Sequence, residues 1–242
     1  MPSAPLALMY HAVLPLPARA ERDLDRTLIV DPGELAWQLD ELRRCGYQTL
    51  TLDDYFAALD QPDTDSRGVL LTFDDGYAHL SETVSPLLEA SGFSAVLFVP
   101  TAYLGGGNSW DNRGHPLHAE PVAAALTLTQ MAQGPWEIAS HGVRHVDLRA
   151  LPPEEQVRTL RTARERLGEI TGRPVYDLAY PYGLSDASVR DAARAAGYRM
   201  AFAATAELTS DRFRLPRVVV RGQEGRKAFR IRIEPGFRSL FG

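Results

Sequence analysis

Gly68 to Tyr77 reads GVLLTFDDGY: an apolar run closes on Phe73, and two carboxylates, Asp74 and Asp75, then stand side by side before Gly76. An Asp-Gly pair after a strand is ordinary turn chemistry. The pair gains a second meaning if the run is a buried strand of a parallel sheet, because such folds bind ligands at the carboxyl ends of their strands. The rest of the chain decides between the two.

Short β-rich runs alternate with segments of helical period, the pattern of βα units around a parallel sheet. Strands are predicted at Leu6–Tyr10, Tyr47–Thr51, Val69–Phe73, Ser94–Val99, Trp136–Ser140, Tyr176–Tyr180, Met200–Ala204 and Arg214–Val220. That is seven or eight, the number a closed or nearly closed barrel needs. Helices have recognisable ends: Asp31 as N-cap, Pro32 at the first turn and Gly46 as terminator; prolines and acids opening LPPEEQVRTLRTARERLGEITG; and SDASVRDAARAAG repeating the scheme. The polar stretch Gly105–Pro121 is too long for a plain connection and is expected to form a lid or rim loop, with His115 and His118 in solvent. His79 is expected at a helix start.

The chain of 242 residues is expected to form one domain, with its core over residues 5–220 and an extension over 221–242. A hydrophobic content of 45% with 24% charged residues is ordinary for a globular protein. The net charge of −5 has no basic block, which points away from nucleic acid. Of 26 basic residues only Lys227 is a lysine, and its polar surroundings argue against Schiff-base chemistry. Cys45 is the single cysteine, so neither an internal disulfide nor a thiolate metal cage forms. No run reaches the roughly 18 apolar residues of a membrane span. The N-terminus lacks a basic leader region, and a cytoplasmic location is expected.

Under the barrel reading Asp74 and Asp75 fall at a strand's carboxyl end, and that edge should carry further reactive groups. Directly after WEIAS comes HGVRHVD, which puts His141 and His145 at the end of another strand. Two imidazoles four residues apart suit one metal ion. One carboxylate with two imidazoles leaves positions open for water and substrate, and the second carboxylate can then serve as base toward that water.

At this point the chain resembles the polysaccharide deacetylases with a NodB-homology domain, carbohydrate esterase family four. TFDDG (Thr72–Gly76), SHGVRH (Ser140–His145) and AYPYG (Ala179–Gly183) carry the resemblance, in the family's order. It implies a distorted (β/α) barrel of about seven strands with Asp74 as general base. Asp75, His141 and His145 would hold Zn²⁺ or another divalent transition metal such as Co²⁺, Ni²⁺ or Fe²⁺. Tyr182 matches the position whose backbone N–H binds the oxyanion. The implied activity is removal of N-acetyl groups from a carbohydrate.

Two departures stand out. Many members begin the third motif with an arginine that pairs with the base, whereas this chain has Ala179; Arg217, in LPRVVV, is the candidate replacement, with a solvated strand-end residue as the alternative. Many members also supply the general acid as a late histidine, but no histidine follows His145 here. The chain resembles the permuted poly-N-acetylglucosamine deacetylase branch, in which an N-terminal YH strand replaces the late one, and MYHAV then supplies His11 as acid. Trp110 and Asp111 could stack on and hydrogen-bond a sugar ring. Hydrolysis of a small non-sugar amide and a lapsed carbohydrate-binding module stay open as alternatives, and the resemblance leaves cell-envelope association open beside the cytoplasm.

Overall fold

The computed structural model describes residues 5–15, 27–60, 67–111, 113–205, 207 and 209–234. The outermost parts of the expected domain, 1–4 and 235–242, lie outside the described residues. In chain order the elements are β1 (Leu6–Tyr10), β2 (Ala12–Val13), β3 (Ile29–Val30), α1 (Pro32–Arg44), β4 (Gln48–Thr49), α2 (Leu52–Ala58), β5 (Gly68–Phe73), α3 (Leu80–Thr83), α4 (Ser85–Ser91), β6 (Ala95–Val99), α5 (Ala125–Met131), β7 (Trp136–Ser140), α6 (Pro153–Thr171), β8 (Asp177–Ala179), α7 (Ala187–Ala195), β9 (Met200–Phe202), β10 (Val218–Val219) and α8 (Arg226–Ile233).

Seven strands run parallel in the order β10-β1-β5-β6-β7-β8-β9, and short β4 pairs with the start of β5. The sheet curls until the segment carrying β10 meets both edges. On one side Leu215 exchanges hydrogen bonds with Ala201 and Ala203, both at 2.9 Å; on the other the Val220 N–H reaches Met9 O at 2.9 Å. The predicted strand Arg214–Val220 is this closing segment. Its regular ladder shrinks to Val218–Val219 because Pro216 has no N–H to give. The result is the distorted (β/α) barrel.

Strand parity sorts the core. In β5, Val69, Leu71 and Phe73 join the cluster between sheet and helices, while Leu70 packs inside the barrel with Ala7, Val96, Phe98, Ala139, Ala179, Met200 and Phe202. The outer face is sealed by helices whose apolar stripe has the expected period: Leu35, Leu39 and Leu42 of α1, and Leu160, Ala163 and Leu167 of α6. Helix α2 adds Leu52 and Tyr55 to the barrel interior. Helix α1 starts where Asp31 accepts from Gly33 N–H at 2.8 Å, and α7 where Asp186 accepts from Val189 N–H at 2.9 Å. Helix α8 inserts Phe229 and Ile233 into the outer cluster, so residues past 220 take part in the core. No helix among the described residues is long and apolar enough to cross a membrane.

Leu97 is fully buried in β6, within the cluster between sheet and helices. Leu97→Ala is expected to cost about 2–5 kcal/mol. Urea unfolding should show the midpoint falling with the slope unchanged.

Candidate active site

Parity also aims Asp74. Residues 70 and 72 face into the barrel, and Asp74 continues the series at the strand's end, its N–H still bonded to Tyr10 O at 3.0 Å. Arg217 comes across the interior to meet it. Arg217 is 2% exposed, and its guanidinium grips the carboxylate with both arms, Nη1 to Oδ1 at 2.7 Å and Nη2 to Oδ2 at 2.8 Å. Two further donors go to Thr72 Oγ1 at 3.1 Å and Ala203 O at 3.3 Å, and its plane rests against Phe98 and Phe202. Burial alone would push the Asp74 carboxyl up; Arg217, helped by His141 and His11, more than reverses this and holds it down to about 2. The solvated-residue alternative for Arg217 is thus excluded by the fold.

At Asp75 the backbone flips into the left-handed region, φ 72°, followed by Gly76 at φ 66°. The flip turns Asp75 away from its neighbour, and Gly76 passes so close to β6 that a Cβ would lie 3.0 Å from Val99 Cγ1. Asp75 Oδ2 accepts from Tyr77 Oη at 3.1 Å. Its Oδ1 is buried without a hydrogen-bond partner among the described residues, facing His141 Nε2 at 3.7 Å and His145 Nε2 at 3.4 Å. Burial, then the Asp74 charge, pushes this carboxyl well above the usual range.

His141 follows β7, and its Nδ1–H donates to Ala179 O at 2.7 Å, which leaves the Nε2 lone pair turned inward. His145 is held between the rings of Trp110 and Tyr182, with centroids 5.1 and 4.3 Å away. Burial draws both imidazoles down, His145 to about 2 with His141 as the second cause. Ligand atoms of Asp75, His141 and His145 all lie within 4.8 Å of one another. A carboxylate that resists ionising, an orphaned oxygen and two neutral imidazoles fit a divalent cation, which would reverse each of these penalties.

His11 leaves β1 on the same edge with its Nδ1 buried and unpartnered among the described residues. Burial lowers this imidazole to about 4, with Asp74 opposing. His11, Asp74, Asp75, His141, His145 and Tyr182 line one cleft of about 320 Å³, and Arg217 is buried behind Asp74. Tyr182 sits at φ 58° with its side chain half exposed at the lip and its hydroxyl on His145 O at 3.3 Å.

The long loop forms part of the rim. Trp110 and Asp111 line the cleft, and so does His115, paired with Asp111 at 3.2 Å; His118 is half-buried with Nδ1 on Asp111 O at 2.9 Å. Both histidines are therefore folded into the loop, against the expectation of free exposure, because Asp111 gives each a polar partner. His79 stands before α3, accepts from Val13 N–H and pairs with Glu120 of the loop. Asn108, Tyr77 and Arg221 also belong to this neighbourhood and had no sequence signal of their own, the contact between Asn108 and Tyr77 spanning 31 residues and Arg221 reaching the cleft from just after the closing segment.

Fold and site together define an α/β barrel whose strand ends carry an Asp-His-His cluster with the spacing to hold a metal ion, beside a clamped aspartate. The model of the polysaccharide deacetylase family matches residues 61–201, and the chain belongs to that family. It is 27% identical over 237 residues to YxkH of Bacillus subtilis (strain 168), provisionally named a polysaccharide deacetylase, covering 97% of this chain and 74% of the relative. Its fold is similar to that of the Streptococcus pyogenes deacetylase PplD, solved in complex with acetate, with TM-score 0.82, 21% identity and coverage of 97% of this chain and 100% of the other. It is also similar to a de-N-acetylase from Aggregatibacter actinomycetemcomitans, with TM-score 0.77, 20% identity and coverage of 94% and 98%.

The clamp has a pH signature. The folded carboxyl of Asp74 lies at about 2, below its ordinary 3.8, so it contributes stability above pH 4 that is lost as pH falls toward 2. Arg217→Met leaves a buried carboxylate unpaired and is expected to cost about 3–5 kcal/mol at pH 7. Urea unfolding across pH should show the gap from wild type narrowing as the pH drops and Asp74 takes up its proton.

Proposed function

We propose that the chain hydrolyses N-acetyl groups on a carbohydrate with the help of one divalent metal, zinc being the first choice. The observation that carries this reading is the split between adjacent aspartates: Asp74 locked in its ionised form by Arg217, and Asp75 presenting one bare oxygen to two imidazoles. A metal held by Asp75, His141 and His145 would supply a Lewis acid for the acetyl carbonyl and acidify a water. Zn²⁺ suits one carboxylate and two imidazoles, as do Co²⁺, Ni²⁺ and Fe²⁺.

The chain's own residues do the rest. Asp74 takes a proton from the attacking water, and Arg217 keeps the base ionised and aimed. The Tyr182 N–H donates to the oxyanion that develops on the former carbonyl. The C–N bond then breaks, acetate is left, and the amine, too basic to depart as an anion, receives a proton from His11. The buried His11 ring, drawn down to about 4, is neutral at pH 7; negative charge building on the tetrahedral adduct favours its imidazolium, so it takes a proton from solvent after attack and passes it to the amine, while Asp74 returns the water's proton to solvent and both groups are restored. Trp110 and the exposed ring of Tyr182 offer apolar faces to a pyranose, and Asp111 an acceptor for its hydroxyls. The acetate in the PplD complex is the acid product of such a reaction, which supports the same chemistry here.

Acetate release from N-acetylglucosamine oligomers tests the reading. Asp74→Asn and His11→Ala should each lower kcat by about 10²–10⁴ while elemental analysis finds the metal retained. Rates like the wild type's for either variant would remove its assigned role.

A further inference from the structure

The polar contacts of Asp75 continue into the rim loop through Asn108, which is fully buried. Its amide orientation follows from partners that act in one way only. The backbone N–H of Asp111 can only donate and meets Asn108 Oδ1 at 3.2 Å; the Asp111 carboxylate can only accept and lies 2.6 Å from Nδ2. The second Nδ2 hydrogen therefore points at Tyr77 Oη, 3.0 Å away. A phenol that accepts from Asn108 has its one hydrogen left to give, and Asp75 Oδ2 takes it at 3.1 Å. Donation runs one way, from Asn108 through Tyr77 to Asp75.

The loop holds this arrangement in place. Asn108 N–H donates to Glu120 O at 2.8 Å, Ala78 N–H to Pro121 O at 2.8 Å and Ala123 N–H to Gly76 O at 2.9 Å, so the loop is stitched to the turn that bears both aspartates. With Oδ2 occupied, Asp75 has only Oδ1 to present to His141 and His145.

We infer that Tyr77, oriented by Asn108, is a positioning residue that commits Asp75 to bind a divalent metal through Oδ1 alone, and that the rim loop is thereby part of the metal site's support. The inference rests on the reading of Asp75, His141 and His145 as metal ligands. Donors behind a ligating carboxylate fix its orientation and are commonly worth 10- to 100-fold in metal affinity. Releasing Oδ2 would let the carboxylate rotate and offer both oxygens.

Co²⁺ binding to the full chain tests this without any turnover, with Kd from competition against a chromophoric chelator and the visible spectrum as the record of coordination. Tyr77→Phe should weaken binding by about tenfold or more and change the visible bands. Asn108→Ala keeps the phenol but frees its hydroxyl to rotate, and should give the same change in smaller measure. Arg113→Gln, exposed in the same loop and outside the donor chain, should keep the wild-type Kd and bands. Thermal unfolding of each variant separates loss of fold from loss of orientation, and Asn108→Ala decides the matter if Tyr77→Phe fails to fold. Wild-type affinity and spectrum in both Tyr77→Phe and Asn108→Ala would overturn the inference alone. A wild-type chain that binds no Co²⁺ would overturn the metal reading beneath it.

Discussion

An arginine buried inside the barrel, with both arms on one carboxylate, is the constraint around which the site is built. Arg217 has no water to turn to, so its charge is stable only while Asp74 stays ionised, and Asp74 stays ionised only while Arg217 is there. The pair joins the last strand of the barrel to the third strand of the sheet path. Barrel closure and the ionisation state of Asp74 are therefore one event: a chain that has not brought β10 against β1 has no clamped aspartate.

The turn after β5 makes two different groups from two identical side chains. Asp74 keeps the strand's inward direction and meets a cation; Asp75, one residue on and in the left-handed region, meets a phenol and two imidazoles. Their electrostatic settings diverge accordingly, one carboxyl held low and the other pushed high. Paired titratable groups with opposed shifts mark acid-base and ligand assignments in hydrolytic sites. The narrow space between Gly76 and Val99 shows that the turn is also packed tightly against β6, which keeps the two directions from averaging.

Much of this was legible along the chain. The run into Phe73, the strand before His141 and the strand ending at Tyr10 are local patterns, and their carboxyl ends fall together because every ladder in the main sheet is parallel. Strand lengths were less legible: Tyr47–Thr51 narrows to Gln48–Thr49 and Arg214–Val220 to Val218–Val219, since pairing partners and a proline, not propensity, set where a ladder runs. Arg217 could be nominated by charge, but its burial depends on the closing segment passing between β9 and β1. Asn108 and Tyr77 carry no local mark at all. Their local contacts, to Asp75 and Asp111, become one chain only through a contact across 31 residues, and the polar look of Gly105–Pro121 gave no hint that a fully buried amide sat within it. The same loop hid the partners of His115 and His118.

The central claim is that a single metal, held by Asp75, His141 and His145, drives removal of acetyl groups from a carbohydrate amine. Its most direct test is acetate release from N-acetylglucosamine oligomers by the purified chain before chelation, after it, and after Zn²⁺ or Co²⁺ is returned. The account predicts release that stops on chelation and recovers with about one metal per chain. Release that persists in the fully stripped protein, or stoichiometric metal with no acetate from any N-acetylated saccharide, would contradict it.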